Sequence, residues 1–236
     1  MSRRQRALAA TAVGLGIAGL SYAGYAAHTW YGYGRADHQP DPGASGSLLD
    51  RFMPDYEIVE HHETDVNAPA ELTYAAAREM NINDSPLVRA IFAVREVPAR
   101  IRGERPERSS RSLVEETTAL GWRPLAEVPG RVLVMGAVTQ AWQAAPVFRG
   151  LPADQFRDFA EPGYVKIVWT LEAEPLEPGR SRFRTETRAV TTDAAARTQF
   201  RRYWSIVSPG VRLIRHQSLA LVQREAERRA RALAAR

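Results

Sequence analysis

From Tyr164 to Pro175 the chain sets Val165, Ile167, Trp169, Leu171 and Ala173 at every second position, against Lys166, Thr170, Glu172 and Glu174. Successive side chains of a strand point to opposite faces, so this period predicts a half-buried strand. Glu177-Pro178-Gly179-Arg180 supplies a turn, because proline presets one backbone angle and glycine accepts the positive one that follows. Ser181 to Thr191 alternates again, with Phe183, Thr185, Thr187 and Ala189 on one face and Arg182, Arg184, Glu186 and Arg188 on the other. The two stretches read as a hairpin. Asp193 then caps a helix expected to reach the C-terminus with one interruption, at Ser208-Pro209-Gly210.

Upstream, Tyr56 to Val66 predicts a first strand with Ile58, Glu60, His62, Thr64 and Val66 on one face. Asn67 is placed to cap a helix with Pro69 in its first turn, ending near Met80. Ser85-Pro86 repeats that start, and Leu87, Val88, Ile91 and Phe92 carry helical spacing up to Val97-Pro98. Ile101 to Ser112 is a charged loop, read as a solvated connector or as a lid over a cavity mouth. Ser112 and Glu115 fit a capping box for a helix from Leu113 to Leu120. Trp122–Val128 and Arg131–Thr139 flank Pro129-Gly130 as a second hairpin, whose second strand is apolar on both faces. Ala141 to Phe148 is a weaker strand carrying Trp142, Pro152 to Phe159 a short helix, and Glu161-Pro162-Gly163 the turn into the C-terminal hairpin.

The first 34 residues differ from the rest. Arg3, Arg4 and Arg6 precede an uncharged run from Ala7 to Ala27, which as a helix is roughly 30 Å long, a bilayer's hydrocarbon thickness. Trp30, Tyr31 and Tyr33 follow where amphipathic rings would sit at a lipid boundary. Residues 1–34 therefore read as an N-terminal transmembrane anchor through 7–27. The positive-inside rule then predicts the arginines in the cytoplasm and a single-pass domain on the extracytoplasmic side. A cleaved signal segment and secretion are the alternative, with Gly24 and Ala26 ahead of a cut before Ala27. Residues 35–47, dense in proline, glycine and serine, form a linker, and 48–236 the domain. Two patterns in the anchor fall to simpler readings. Gly14-Leu15-Gly16-Ile17-Ala18-Gly19 has no preceding strand to make it a dinucleotide site, and the Ala10, Gly14, Ala18 ridge follows from composition.

Charge narrows the partners. The predicted pI is 9.9 and the net charge +5, but each end carries +3, and subtracting both leaves the body at −1. No basic stripe remains for a phosphate backbone, so nucleic acid is not an expected partner. With no cysteine, thiolate metal sites and cysteine nucleophiles are excluded. The five histidines form no metal-ligand spacing, since adjacent His61 and His62 face opposite ways on a strand. No nucleophile elbow is present, and neither a metal nor another cofactor is expected.

Four stretches carry a family resemblance: Val66-Asn67-Ala68-Pro69; Phe156, Phe159 and Glu161-Pro162-Gly163-Tyr164 with Lys166 and Trp169; Thr185-Glu186-Thr187-Arg188; and Phe200-Arg201-Arg202-Tyr203-Trp204. In these, and in its order of strand, two helices, antiparallel run and long helix, the chain resembles the START-like (SRPBCC, polyketide cyclase/dehydrase-like) superfamily, in a bacterial branch of unknown function. The resemblance covers about Tyr56 to Arg229. It implies an α+β helix-grip fold, a curved antiparallel sheet wrapped around the long C-terminal helix over an apolar cavity. It also implies binding of a hydrophobic small molecule or lipid, with cyclase or dehydratase catalysis in a minority of members. Fold analogy does not choose between them.

Under that fold the first and last strands are neighbours. His62, with Glu60 beside it, becomes the acid/base candidate, and Glu186 and Arg188 its possible partners. The competing reading makes Glu186 and Arg188 part of a cross-strand ladder of Arg182 and Arg184 against Glu172 and Glu174. Trp142, Trp169, Tyr203 and Trp204 either line a ligand pocket or fill the core. Arg224, Arg228, Arg229 and Arg231 complement the helix dipole, with anionic headgroups as the sharper alternative. A binding module, an enzyme using His62, Glu186 and Arg188, and a ligandless partner-binding domain all remain open, with the binding module favoured.

Overall fold

The computed structural model describes residues 20–33, 48–85, 88 and 111–235. Period-two alternation yields six strands: β1 (Ile58–Val66), β2 (Arg123–Val128), β3 (Val132–Thr139), β4 (Phe148–Arg149), β5 (Val165–Glu177) and β6 (Arg180–Thr191). They form one antiparallel sheet in the order β1-β6-β5-β3-β2, with β4 attached to β3. Gly130 and Gly179 take positive φ at the two hairpin turns, where a side chain would be strained. Helix α1 spans residues 20–32, α2 Ala70–Glu79, α3 Leu113–Ala119, α4 Ala153–Phe156 and α5 Ala194–Ala234. First and last strands are neighbours and the 41-residue α5 lies along one sheet face, which is the helix-grip arrangement.

Both faces of the sheet are covered. On one, Leu133, Met135, Ala137, Trp169, Leu171, Ala173 and Phe183 pack with α2 and with Leu219, Val222 and Ala226 of α5. On the other, Val134, Val138 and Val168 pack with Phe156 of α4 and with Leu49, Phe52 and Met53 around a short 3-10 turn at Leu48–Arg51. A third cluster joins Ile58, Val165 and Ala189 to Phe200 and Trp204 at the start of α5. Gly136 lets the second face close, since a Cβ there would meet Leu125 Cδ1 at 2.5 Å and Phe156 Cε2 at 3.1 Å.

Local chemistry holds the ends of the helices. Ser112 and Glu115 form the expected capping box. Asp193 accepts from the amides of Ala195 and Ala196, and from that of Gly163, so one carboxylate ties the start of α5 to the turn before β5. Asn67 does not cap α2. Pro69 occupies that position, and the Asn67 side chain and amide both donate to Glu227 Oε1, at 3.1 and 3.2 Å, near the end of α5.

Four further expectations are corrected. The helix is not interrupted at Ser208-Pro209-Gly210, because α5 runs through Pro209. Proline removes one N–H, but the flanking turns are anchored on the sheet through Trp204 and Leu219, and this packing holds the helical path. Ala141 to Phe148 is turn and bend with only a two-residue strand at its end, since Pro146 lacks a ladder donor and the Gln143 amide turns back to the Gln140 carbonyl. The helix from Pro152 stops at Phe156. The arginines of β6 pair with β1 more than with β5: Arg182 meets Asp65 at 2.9 Å and Arg184 meets Glu63 at 3.2 Å, while the Arg184–Glu174 contact is 3.8 Å.

Residues 1–19, the linker 35–47 and the loop 101–110 lie outside the described residues, as do Leu87 to Val97 apart from Val88, which is helical and buried. Among the described residues no helix is long and apolar enough to cross a membrane. The described end of the expected span docks on the domain. Tyr33 is 7% exposed, donates to Glu57 Oε2 at 2.7 Å and meets the Phe200 ring edge-on, so it packs in the core and not at a lipid boundary. Arg201 holds the Trp30 carbonyl, Tyr22 donates to the Ile206 carbonyl, and Arg212 lies over the Tyr25 ring.

Candidate functional site

Three elements facing one another on the α5 side of the sheet share one pattern. The inward face of β1 reads Ile58, Glu60, His62, Thr64, Val66, and that of β6 reads Phe183, Thr185, Thr187, Ala189. Along α5 the stripe at three-, four- and seven-residue steps runs Phe200, Trp204, Ser208, Arg215, Leu219, Val222, Ala226, with Arg212 beside it. Each is apolar at both ends and polar in the middle. A polar layer therefore crosses the sheet–helix interface between two apolar clusters.

Glu60, 7% exposed, accepts from Arg212 through Nε at 2.9 Å and Nη2 at 2.7 Å, a two-pronged contact. His62 Nε2 lies 3.6 Å from Glu60 Oε2, too long for a hydrogen bond, and is buried with no partner among the described residues. Its ring meets His216 edge-on at 5.0 Å between centroids. Burial lowers the His62 pKa, Glu60 opposes this, and His216, Arg215 and Arg212 reinforce it. Arg215 Nη1 donates to Thr185 at 3.2 Å and Nη2 to Thr187 at 2.6 Å, with the guanidinium 5.9 Å from the Trp169 ring centre. Burial pulls its pKa down to about 10. Ser208 is fully buried, and its hydroxyl has no partner among the described residues.

The other candidates lie elsewhere. His61 pairs with Glu186 in register, and His62 with Thr185, so Glu186 and Arg188 project from the face opposite His62. There Arg188 binds Glu186 at 2.6 Å, Asp50 at 2.6 Å and the Met53 carbonyl at 2.9 Å, under the Tyr56 ring. It clamps the segment ahead of β1 onto the sheet. Burial would raise the Glu186 pKa, but hydrogen bonds from His61 and Arg188 hold it below the usual carboxylate value. The structure thus does not bring His62, Glu186 and Arg188 into one site. Nor does it gather the four aromatics. Trp142, Tyr203 and Trp204 share the cluster at the start of α5, while Trp169 stands apart beside Trp122 and Arg215.

Sequence reasoning missed Arg212, Arg215 and Ser208. The signal was present as polar residues breaking an apolar stripe with four-residue steps, but a stripe is recognisable only once its sheet-facing side is known. The C-terminal arginines are engaged within the protein: Arg228 and Arg229 bind Glu225, Arg229 also reaches Glu79 at 2.7 Å, and Arg231 faces Glu227. Two open clefts lie away from the layer. One of about 410 Å³ lies between α2 and the end of α5, and one of about 380 Å³ beside Phe159, Lys166 and Thr192.

No protein-family model matches the sequence, and a search of curated proteins returned no match. Among solved structures the chain is similar to protein CV1439 from Chromobacterium violaceum, with 14% identity, a TM-score of 0.33, and 72% of this chain and 97% of that one covered. It is similar to the Zhui aromatase/cyclase of Streptomyces sp. R1128 at 16% identity and a TM-score of 0.30, covering 75% and 97%. A third likeness is to the di-domain ARO/CYC BexL from the BE-7585A biosynthetic pathway, at 17% identity and a TM-score of 0.31. There 72% of this chain spans 46% of that protein. With TM-scores this low, the helix-grip assignment rests on this chain's own strand order and on the course of α5.

Proposed function

We propose that the chain is a START-like binding module that holds a hydrophobic small molecule or lipid between the sheet and α5. In this reading the part of the uncharged segment 7–27 that lies ahead of the docked residues keeps it at the membrane, with the domain on the extracytoplasmic side. The observation that carries the reading is the polar layer: His62 Nε2 and the Ser208 hydroxyl, buried without a hydrogen-bond partner among the described residues and set between two apolar clusters. Buried polar atoms are costly to leave unmatched, so a layer that keeps them is suited to a ligand supplying the matching atoms. Apolar surroundings with a few convergent polar groups are the usual makeup of small-molecule sites. The acid/base alternative loses two of its three groups to the opposite sheet face and is not carried further.

The test is a titration of the purified chain with N-phenyl-1-naphthylamine, whose emission rises in apolar surroundings. Saturable binding of about one probe per chain is expected. Emission that grows linearly without saturation would overturn the reading.

A further inference from the structure

Charge within the layer does not balance. Glu60 and Arg212 neutralise each other through their two-pronged contact. Arg215 has no such partner: its hydrogen bonds go to the hydroxyls of Thr185 and Thr187, and no carboxylate lies within ion-pair distance among the described residues. Of the other titratable groups facing it, Glu60 attracts it through space but is committed to Arg212, and His62 and His216 bring no negative charge. A half-buried cation without a paired counter-ion is disfavoured. Two threonine acceptors relieve only part of that cost, since hydroxyls bring no charge.

From this we infer that the ligand of the proposed module is a monoanionic amphiphile, a carboxylic acid on an apolar body, whose carboxylate docks on Arg215. The inference rests on the binding-module reading and specifies the ligand's head group. A guanidinium has five N–H donors, and the threonines take two, so donors remain for a carboxylate. A single negative charge matches the single excess positive one.

Matched pairs test the inference by calorimetry on the full chain: 2-naphthoate against 2-naphthamide, and dodecanoate against dodecanamide. Each pair shares a body and differs in charge, and using two pairs separates a flat aromatic acid from a fatty acid. In at least one pair the acid is expected to bind tenfold or more tighter than the amide, the scale of one charge-assisted contact. Arg215→Met should remove that preference by bringing each acid down to the affinity of its amide. Arg215→Lys, which keeps the charge without the fork, should retain a reduced preference. Equal binding of acid and amide in both pairs by the wild-type chain overturns the inference, as does a preference that survives in Arg215→Met. Those results leave the binding-module reading standing if N-phenyl-1-naphthylamine still saturates. No saturable binding of any probe would remove both.

Discussion

Arg188 of β6 and Arg215 of α5 both set a guanidinium against the sheet, yet their neighbours give them opposite tasks. Arg188 has two carboxylates and a carbonyl, so its charge is spent on holding the segment around Asp50 and Met53. Replacing it with methionine leaves Glu186 buried without its main partner, and is expected to cost about 3 kcal/mol in a denaturant titration without changing probe affinity. An affinity loss at unchanged stability would contradict this division. The same face carries a pH signature. Hydrogen bonding to Glu186 raises the His61 pKa above its ordinary 6.5. A raised histidine contributes stability that is complete below its unfolded value and is lost as pH rises through the folded one. Unfolding midpoints between about pH 5.5 and 8 should therefore fall more steeply with rising pH in the wild type than in His61→Gln, and equal slopes would contradict the His61–Glu186 contact.

At the scale of elements, what the sequence discloses depends on whether the deciding force is local. The β5–β6 hairpin is readable because strict alternation and a Pro-Gly turn specify strand and reversal within a few residues. The Ser112 capping box is readable for the same reason. Ala141 to Phe148 is not, because Trp142 and Val147 suggest a strand that Pro146 and the Gln140–Gln143 turn undo. Pro209 misleads in the opposite sense: propensity breaks the helix there, and packing on the sheet carries it through. If α5 is continuous, Pro209→Ala restores one amide donor to an existing helix and should stabilise the chain by about 1 kcal/mol in denaturant midpoint measurements. Destabilisation of that size would mean that the proline sets a break. The candidate site was legible in half. Glu60, His62, Thr185 and Thr187 follow from strand alternation, whereas Arg212 and Arg215 are ordinary exposed-looking arginines until the facing side of α5 is known.

For the whole molecule, the docking of Tyr22, Tyr25, Trp30 and Tyr33 on α5 changes how a membrane segment would join the domain. Residues packed on Phe200, Arg201 and Arg212 are not free to face lipid, so a bilayer-embedded part would lie ahead of Tyr25. The domain would then sit against the membrane surface, not swing at the end of a long tether. After an alkaline carbonate wash the full-length chain is expected in the membrane pellet. Recovery in the supernatant with an N-terminus at Ala27 would instead support cleavage and secretion, and would also remove the Tyr22 and Tyr25 contacts.

The measurement that reaches the central claim most directly is native mass spectrometry of the full-length chain extracted from its own membrane, followed by denaturing analysis of whatever is released. The account predicts one discrete apolar compound per chain, ionising as a monoanion, and absent from chain carrying Arg215→Met. A chain recovered folded and without any releasable compound would contradict it.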